Sequence, residues 1–210
     1  NAGDIYLDGF VPTLDDAGNI TGKTFWQPTN LNITSAGMVA GSTDSGNGDA
    51  TATNTGTITV NNAGFGMMAL NGGTAINQGT ITLTADEGVT QTDENQLVGM
   101  AALNGGTVIN DTTGTINIDA SFGKPFLADS SSLVVNYGTI CIEDSCQDSA
   151  TYNPTDPYVQ NALRDGVIAD TDETVTLDQK TIIIGNVDNN GTVNGSELAI
   201  QTNGVLTNNA

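Results

Sequence analysis

The chain has 210 residues, of which 24 are Asp or Glu and only 4 are Lys or Arg, giving a formal charge of −20 with no His. Such a chain repels nucleic acid and anionic lipid, so its partners are basic protein surfaces, metal ions or neutral glycans, unless the charge serves solubility alone. No run of about 20 apolar residues is present to span a membrane as a helix, and no direct membrane contact is expected of this segment.

Residues 1–50 lack a clear pattern and read as irregular turns or a cover for the end of a stack. From residue 53 one phrase returns. It runs Asn54-Thr55-Gly56-Thr57-Ile58-Thr59-Val60, then Asn77-Gln78-Gly79-Thr80-Ile81-Thr82-Leu83. A third copy is Asn110, a longer gap, and Gly114-Thr115-Ile116-Asn117-Ile118; a fourth is Asn136-Tyr137-Gly138-Thr139-Ile140-Cys141-Ile142. A weaker fifth spans Asn189–Val193. Repeats of this period belong to stacked arrays, because one unit cannot bury its own apolar face. The alternation is that of a strand with one buried side. It points Ile58, Val60, Ile81, Leu83, Ile116, Ile118, Ile140 and Ile142 inward, and Thr57, Thr59, Thr80, Thr82, Thr115, Asn117, Thr139 and Cys141 outward. The Gly before each strand suits a bend that needs unusual backbone angles. The preceding Asn residues can stack as a ladder.

A second block precedes two of the phrases. Gly66-Met67-Met68-Ala69-Leu70-Asn71-Gly72-Gly73 matches Gly99-Met100-Ala101-Ala102-Leu103-Asn104-Gly105-Gly106, and Pro125–Asn136 is a looser copy. Three short strands per turn, stacked in parallel at about 4.8 Å, give an all-β solenoid of the parallel β-helix type with loop insertions. The whole of 1–210 reads as one such unit. The excursion at about 85–96 carries Asp86, Glu87, Asp93 and Glu94. A longer insertion, 143–172, carries Tyr152 and Tyr158. Within it Asp156–Gly166 reads as a short helix, with Asp156 as cap, Pro157 in the first turn and Gly166 at the end.

The Asn-x-Gly-Thr-Ile-x-[Val/Ile/Leu] phrase, the Thr/Asn/Gly bias and the acidity resemble the passenger domains of Gram-negative autotransporters, most closely the adhesin and self-associating branch. The resemblance implies a right-handed three-stranded β-helix, export across the outer membrane and display at the cell surface. It also implies adhesion, aggregation or biofilm formation. The chain reads as a segment of a longer mature protein. In the oxidising compartment such passengers cross, Cys141 and Cys146 are expected to pair.

Chemistry is harder to find. Without His, no Ser-His-Asp or Cys-His arrangement can form, and Thr43-Asp44-Ser45-Gly46 reads as a polar turn. The pairs Asp15-Asp16, Asp86-Glu87, Asp93-Glu94 and Asp170-Asp172-Glu173 could flank a glycosidic bond, yet read better as solvated loop acids. Asn186-Val187-Asp188-Asn189-Asn190-Gly191, continuing to Glu197, has EF-hand spacing but Asn in place of the leading Asp, between strand-like flanks. No enzyme activity, cofactor or metal is assigned. Two functions stand side by side. In the first, the flank of Thr57, Thr59, Thr80, Thr82, Thr115 and Asn117 pairs with the same flank on a neighbouring cell's copy. In the second, Asp86, Glu87, Asp93, Glu94, Tyr152 and Tyr158 bind a host surface or matrix protein or a glycan. A polysaccharide-cleaving enzyme is the remote third.

Overall fold

The computed structural model describes residues 1–25, 36–41, 50–90, 96–149, 159–163, 166–177, 181–183, 186–195, 198–200 and 205–209. Everything that follows concerns these.

The chain begins with β1 (Asp4–Asp8) and an antiparallel hairpin, β2 (Phe10–Leu14) and β3 (Ile20–Phe25). It then coils three strands at a time. The first turn is β4 (Ala36–Ala40), β5 (Thr51–Asn54) and β6 (Thr57–Asn61). Next come β7 (Gly64–Leu70), β8 (Thr74–Asn77) and β9 (Thr80–Thr84), followed by β10 (Leu97–Leu103), β11 (Thr107–Asn110) and β12 (Thr115–Ile118). A fourth turn is β13 (Lys124–Ala128), β14 (Leu133–Asn136) and β15 (Thr139–Ile142). Each strand pairs in parallel with its equivalent one turn away, so three walls rise together: β1-β6-β9-β12-β15, β4-β7-β10-β13 and β5-β8-β11-β14. We call these the flank wall, the Met wall and the Asn wall. The architecture is a three-stranded parallel β-helix.

After β15 the chain turns back as β16 (Ser145–Gln147), antiparallel to β15, and the flank wall stops there. The Asn wall continues through β17 (Val159–Leu163). Later turns add β18 (Gly166–Ala169), β19 (Thr174–Leu177), β20 (Thr181–Ile183), β21 (Asn186–Asn189), β22 (Thr192–Gly195), β23 (Leu198–Ile200) and β24 (Val205–Asn208). Of these, β20 and β23 extend the Asn wall, while β18-β21-β24 and β19-β22 form separate sheets.

The core is a set of columns, one residue per turn. Ile58, Val60, Ile81, Leu83, Ile116 and Ile140 from the flank wall meet Met67, Ala69, Met100, Ala102 and Phe126 from the Met wall. Ala75, Val108 and Val134 close the third side. The two central strands of the Met wall, β7 and β10, are buried on both faces, because their outward Phe65, Met68, Leu70, Val98, Ala101 and Leu103 form a second apolar cluster. That explains why these two strands read as unbroken apolar runs and not as alternations.

Several expectations are corrected. Residues 1–8 are not irregular, since β1 is a rung of the flank wall. Of the helix expected over 156–166, the described stretch Val159–Leu163 is instead strand β17, paired in parallel with β14 and β20. The i, i+4 spacing of Val159 and Leu163 fits one turn of helix as well as a strand, and the open edge of β14 decides for the strand. Ile142 does not point into the core but is 48% exposed, because it belongs to the hairpin that ends the wall. The repeat glycines are needed for space more than for angle. None of Gly56, Gly79, Gly114 or Gly138 has a positive φ. A Cβ on Gly79 would instead sit against the carbonyl oxygen of Gly56 one turn away, and one on Gly138 against that of Gly114.

Candidate functional site

The flank wall presents three outward columns. In register, Asp4, Thr57, Thr80, Thr115 and Thr139 form the first, and Tyr6, Thr59, Thr82, Asn117 and Cys141 the second. The structure thus brings together all six residues expected to form a flank, each half-buried between its neighbours. From Thr57 to Thr139 these two columns carry no charged group. The third column is a border of mixed character. Asp8, Asn61 and Thr84 are in register, and Asp119 and Glu143 continue it, their amides bonding Leu83 O and Ile118 O. Asp8, Asp119 and Glu143 are exposed. The flank is therefore a neutral Thr/Asn strip with an acidic margin. Sequence reading missed Tyr6, 67% exposed at the head of the second column. The signal was available: Asn1-Ala2-Gly3-Asp4-Ile5-Tyr6-Leu7 is itself a copy of the phrase, with Asp4 in place of Thr.

A polar spine runs along the corner where the Asn wall meets the flank wall. Asn1 Nδ2 donates to Asn54 Oδ1 at 3.0 Å, Asn54 to Asn77 at 2.9 Å, Asn77 to Asn110 at 2.8 Å and Asn110 to Asn136 at 2.9 Å. Asn54, Asn77, Asn110 and Asn136 are fully buried. Their oxygens also accept from the turn backbone, as Gly56 N does to Asn54 at 3.2 Å and Gly79 N to Asn77 at 3.3 Å. The ladder fixes the bend and the register together, since each amide satisfies a buried group that would otherwise be orphaned.

Of the acidic-loop residues, only Asp86 and Glu87 lie among the described residues. Asp93, Glu94, Tyr152 and Tyr158 lie outside the described residues. Glu87 is exposed. Asp86 is exposed but engaged: it accepts from Asn61 Nδ2 and Asn62 Nδ2, both at 3.1 Å, and its own amide donates to Asn62 Oδ1 at 2.8 Å. Asp86 therefore anchors the start of its loop. Glu197, the last position of the stretch with EF-hand spacing, lies outside the described residues. Asn186–Asn189 is a strand, and Asn189 and Asn190 are paired by their side chains with Asn208 and Asn209, each at 2.9 Å. The weak fifth copy of the phrase is thus a second amide ladder, at the turn from β21 to β22.

Cys141 and Cys146 face each other across the β15–β16 hairpin and are disulfide-bonded. The bond staples the lower end of the flank. Electrostatically the sharpest feature lies on another corner. Partial desolvation disfavours the charged form of Asp129, but hydrogen bonds from Asn104 N, Ser132 Oγ, Ser131 Oγ and Ser131 N outweigh it and hold the carboxyl at about 2.

A three-sided parallel β-helix closed by apolar columns is the architecture of pectate lyase-like proteins. Residues 1–114 match the family described as BigA third pectate lyase-like domain, and the chain belongs to that family. It is 57% identical over 198 residues to a protein of Salmonella typhimurium strain LT2 that carries the name surface-exposed virulence protein BigA. The alignment covers 91% of this chain and 10% of BigA, so the chain spans a tenth of that relative's length. No solved structure matches the chain.

Proposed function

We propose that this chain is a stretch of a surface-displayed bacterial adhesin of the autotransporter kind, exported across the outer membrane, and that its flank wall is the contact surface. Through it, copies on neighbouring cells associate and the cells aggregate. The observation that carries this reading is the pair of uncharged outward columns from Thr57 to Thr139 on a chain of charge −20. They form a regular row of hydroxyl and amide groups where two copies can meet without bringing carboxylates face to face across the strip. Each exchanged hydrogen bond contributes only about 0.5–1.5 kcal/mol, so the contact needs many rungs and gains from a long solenoid. The name of the BigA relative supports a surface setting. The pectate lyase-like description concerns the fold, and no catalytic step is part of this reading.

The test is a settling assay with cells that display the chain. Thr80→Lys with Thr115→Lys places two long cations on the strip. Thr51→Lys with Thr107→Lys makes the same charge change on the Asn wall. Loss of settling with the first pair alone is expected. Equal settling of both variants and the unmodified chain would remove the flank from the mechanism and return attention to the loops and a host ligand.

A further inference from the structure

The flank wall ends in a covalent staple whose two sulfurs stand in unlike surroundings. Cys141 continues the outward column of Thr82 and Asn117 and is 8% exposed. Cys146, opposite it across the hairpin, is exposed, as are Ser145 and Gln147 on either side. β16 is the last strand of its sheet, so among the described residues no further strand covers its outer edge. The charge around the bond has one sign. Because Ile142 pairs with Ser145, the hairpin turn is Glu143-Asp144, and both acids are exposed. Glu143 is two residues along from Cys141, a rise of about 7 Å. Asp119, also exposed, holds the equivalent position one rung up. Its amide donates to Leu83 O at 2.9 Å, as that of Glu143 does to Ile118 O at 2.9 Å. The described cations are Lys23 on β3 and Lys124 on β13, neither of them on the flank wall.

We propose that the Cys141–Cys146 disulfide is a thiol-exchange site, entered at Cys146 and selective for thiols that carry a positive charge. A thiolate attacks Sγ of Cys146. As the new S–S bond forms, the bond to Cys141 breaks, and Cys141 leaves as a thiolate that takes up a proton. A second thiolate of the same reagent then attacks the reagent's own sulfur in the mixed disulfide and releases Cys146. Two reagent thiols are oxidised to a disulfide, and the protein disulfide is reduced to two thiols. Attack falls on Cys146 because access decides which sulfur of a disulfide is reached. The attacker brings a negative charge on its sulfur, and Asp119, Glu143 and Asp144 make that approach costly. A positive group elsewhere on the attacker offsets the cost, and a second negative group adds to it. The reactant this chemistry selects is therefore a basic molecule or surface that bears a free thiol. Exchange opens the staple at the lower end of the flank wall, and does so for cationic thiols first.

The experiment measures reduction of the folded chain by three small thiols, cysteamine (cationic), 2-mercaptoethanol (neutral) and thioglycolate (anionic). Samples are quenched by alkylation and read by mass spectrometry, with rates expressed per thiolate. The Asp119→Asn/Glu143→Gln/Asp144→Asn variant changes only exposed side chains and removes the local charge. Comparing it with the unmodified chain cancels the intrinsic reactivity of each thiol. At low salt the preference for cysteamine over thioglycolate should be greater in the unmodified chain by on the order of tenfold. In the unmodified chain alone, that preference should shrink as salt is raised. The same preference in both chains, or one indifferent to salt, would overturn the proposal. So would a folded chain that resists all three thiols yet is reduced in urea, since Cys146 would then not be open to attack.

Discussion

The side-chain amide of Asn77 lies between those of Asn54 and Asn110, accepting from the first at 2.9 Å and donating to the second at 2.8 Å, with no exposure to solvent. Removing it breaks the spine in the middle. Asn77→Ala takes one acceptor from Asn54 Nδ2, which keeps the Gly56 carbonyl at 3.1 Å, and leaves Asn110 Oδ1 without its donor and the Gly79 amide unpaired. Each buried orphan costs about 1–3 kcal/mol, so a loss of about 3 kcal/mol is expected in urea unfolding, against less than about 1 kcal/mol for half-exposed Thr82→Ala.

Gly79→Ala tests the steric reading of the repeat glycine. Its new Cβ meets the Gly56 carbonyl, which is backbone and cannot swing aside. Crowding of this kind costs about 1–3 kcal/mol. The midpoint of chemical unfolding should fall by a corresponding amount; an unchanged midpoint would show that the turns are looser than the stack implies.

The Cys141–Cys146 bond closes a short loop and contributes about 2 kcal/mol in the chain-entropy model. Reductant, or Cys141→Ser with Cys146→Ser, should therefore lower stability modestly and free Ser145–Gln147 from β15. Amide hydrogen exchange should register this first at β16 and leave β6, β9 and β12 protected.

Asp129 supplies a pH dependence with a definite sign. Its folded-state pKa, about 2, lies below the ordinary Asp value of about 3.9. Its stabilising effect is present above the unfolded value and disappears as pH falls from about 5 toward 2. The melting temperatures of the unmodified chain and Asp129→Asn should differ at pH 6 and converge near pH 2. A constant gap would mean that the carboxylate's charge is not what holds the turn.

Much of this was legible because a solenoid writes each rung separately into the sequence. The inward columns of Ile58, Ile81, Ile116 and Ile140, the outward Thr columns and the Asn ladder follow from alternation and repeat length alone. What escaped had a neighbour to decide it. Asn1–Leu7 carries Asp4 and Tyr6 where the phrase has Thr, which masks the copy until its pairing with β6 shows it as a rung. Val159–Leu163 has no local preference strong enough to resist the edge of β14. The double burial of the Met wall lies in the run Gly64–Leu70, which is equally compatible with a buried strand or part of a buried helix. The hydrogen bonds from Asn104 and Gly105 to Asp129, Ser131 and Ser132 join residues 25 to 27 positions apart that no motif connects.

The central claim, that the uncharged strip of the flank wall is adhesive, is tested most directly by sedimentation velocity across protein concentration at low and moderate salt. The account predicts dimers that grow with concentration, strengthen as salt screens the −20 charge, and vanish in Thr80→Lys/Thr115→Lys. A monomer at every concentration and salt, or dimers that survive that substitution, would contradict it.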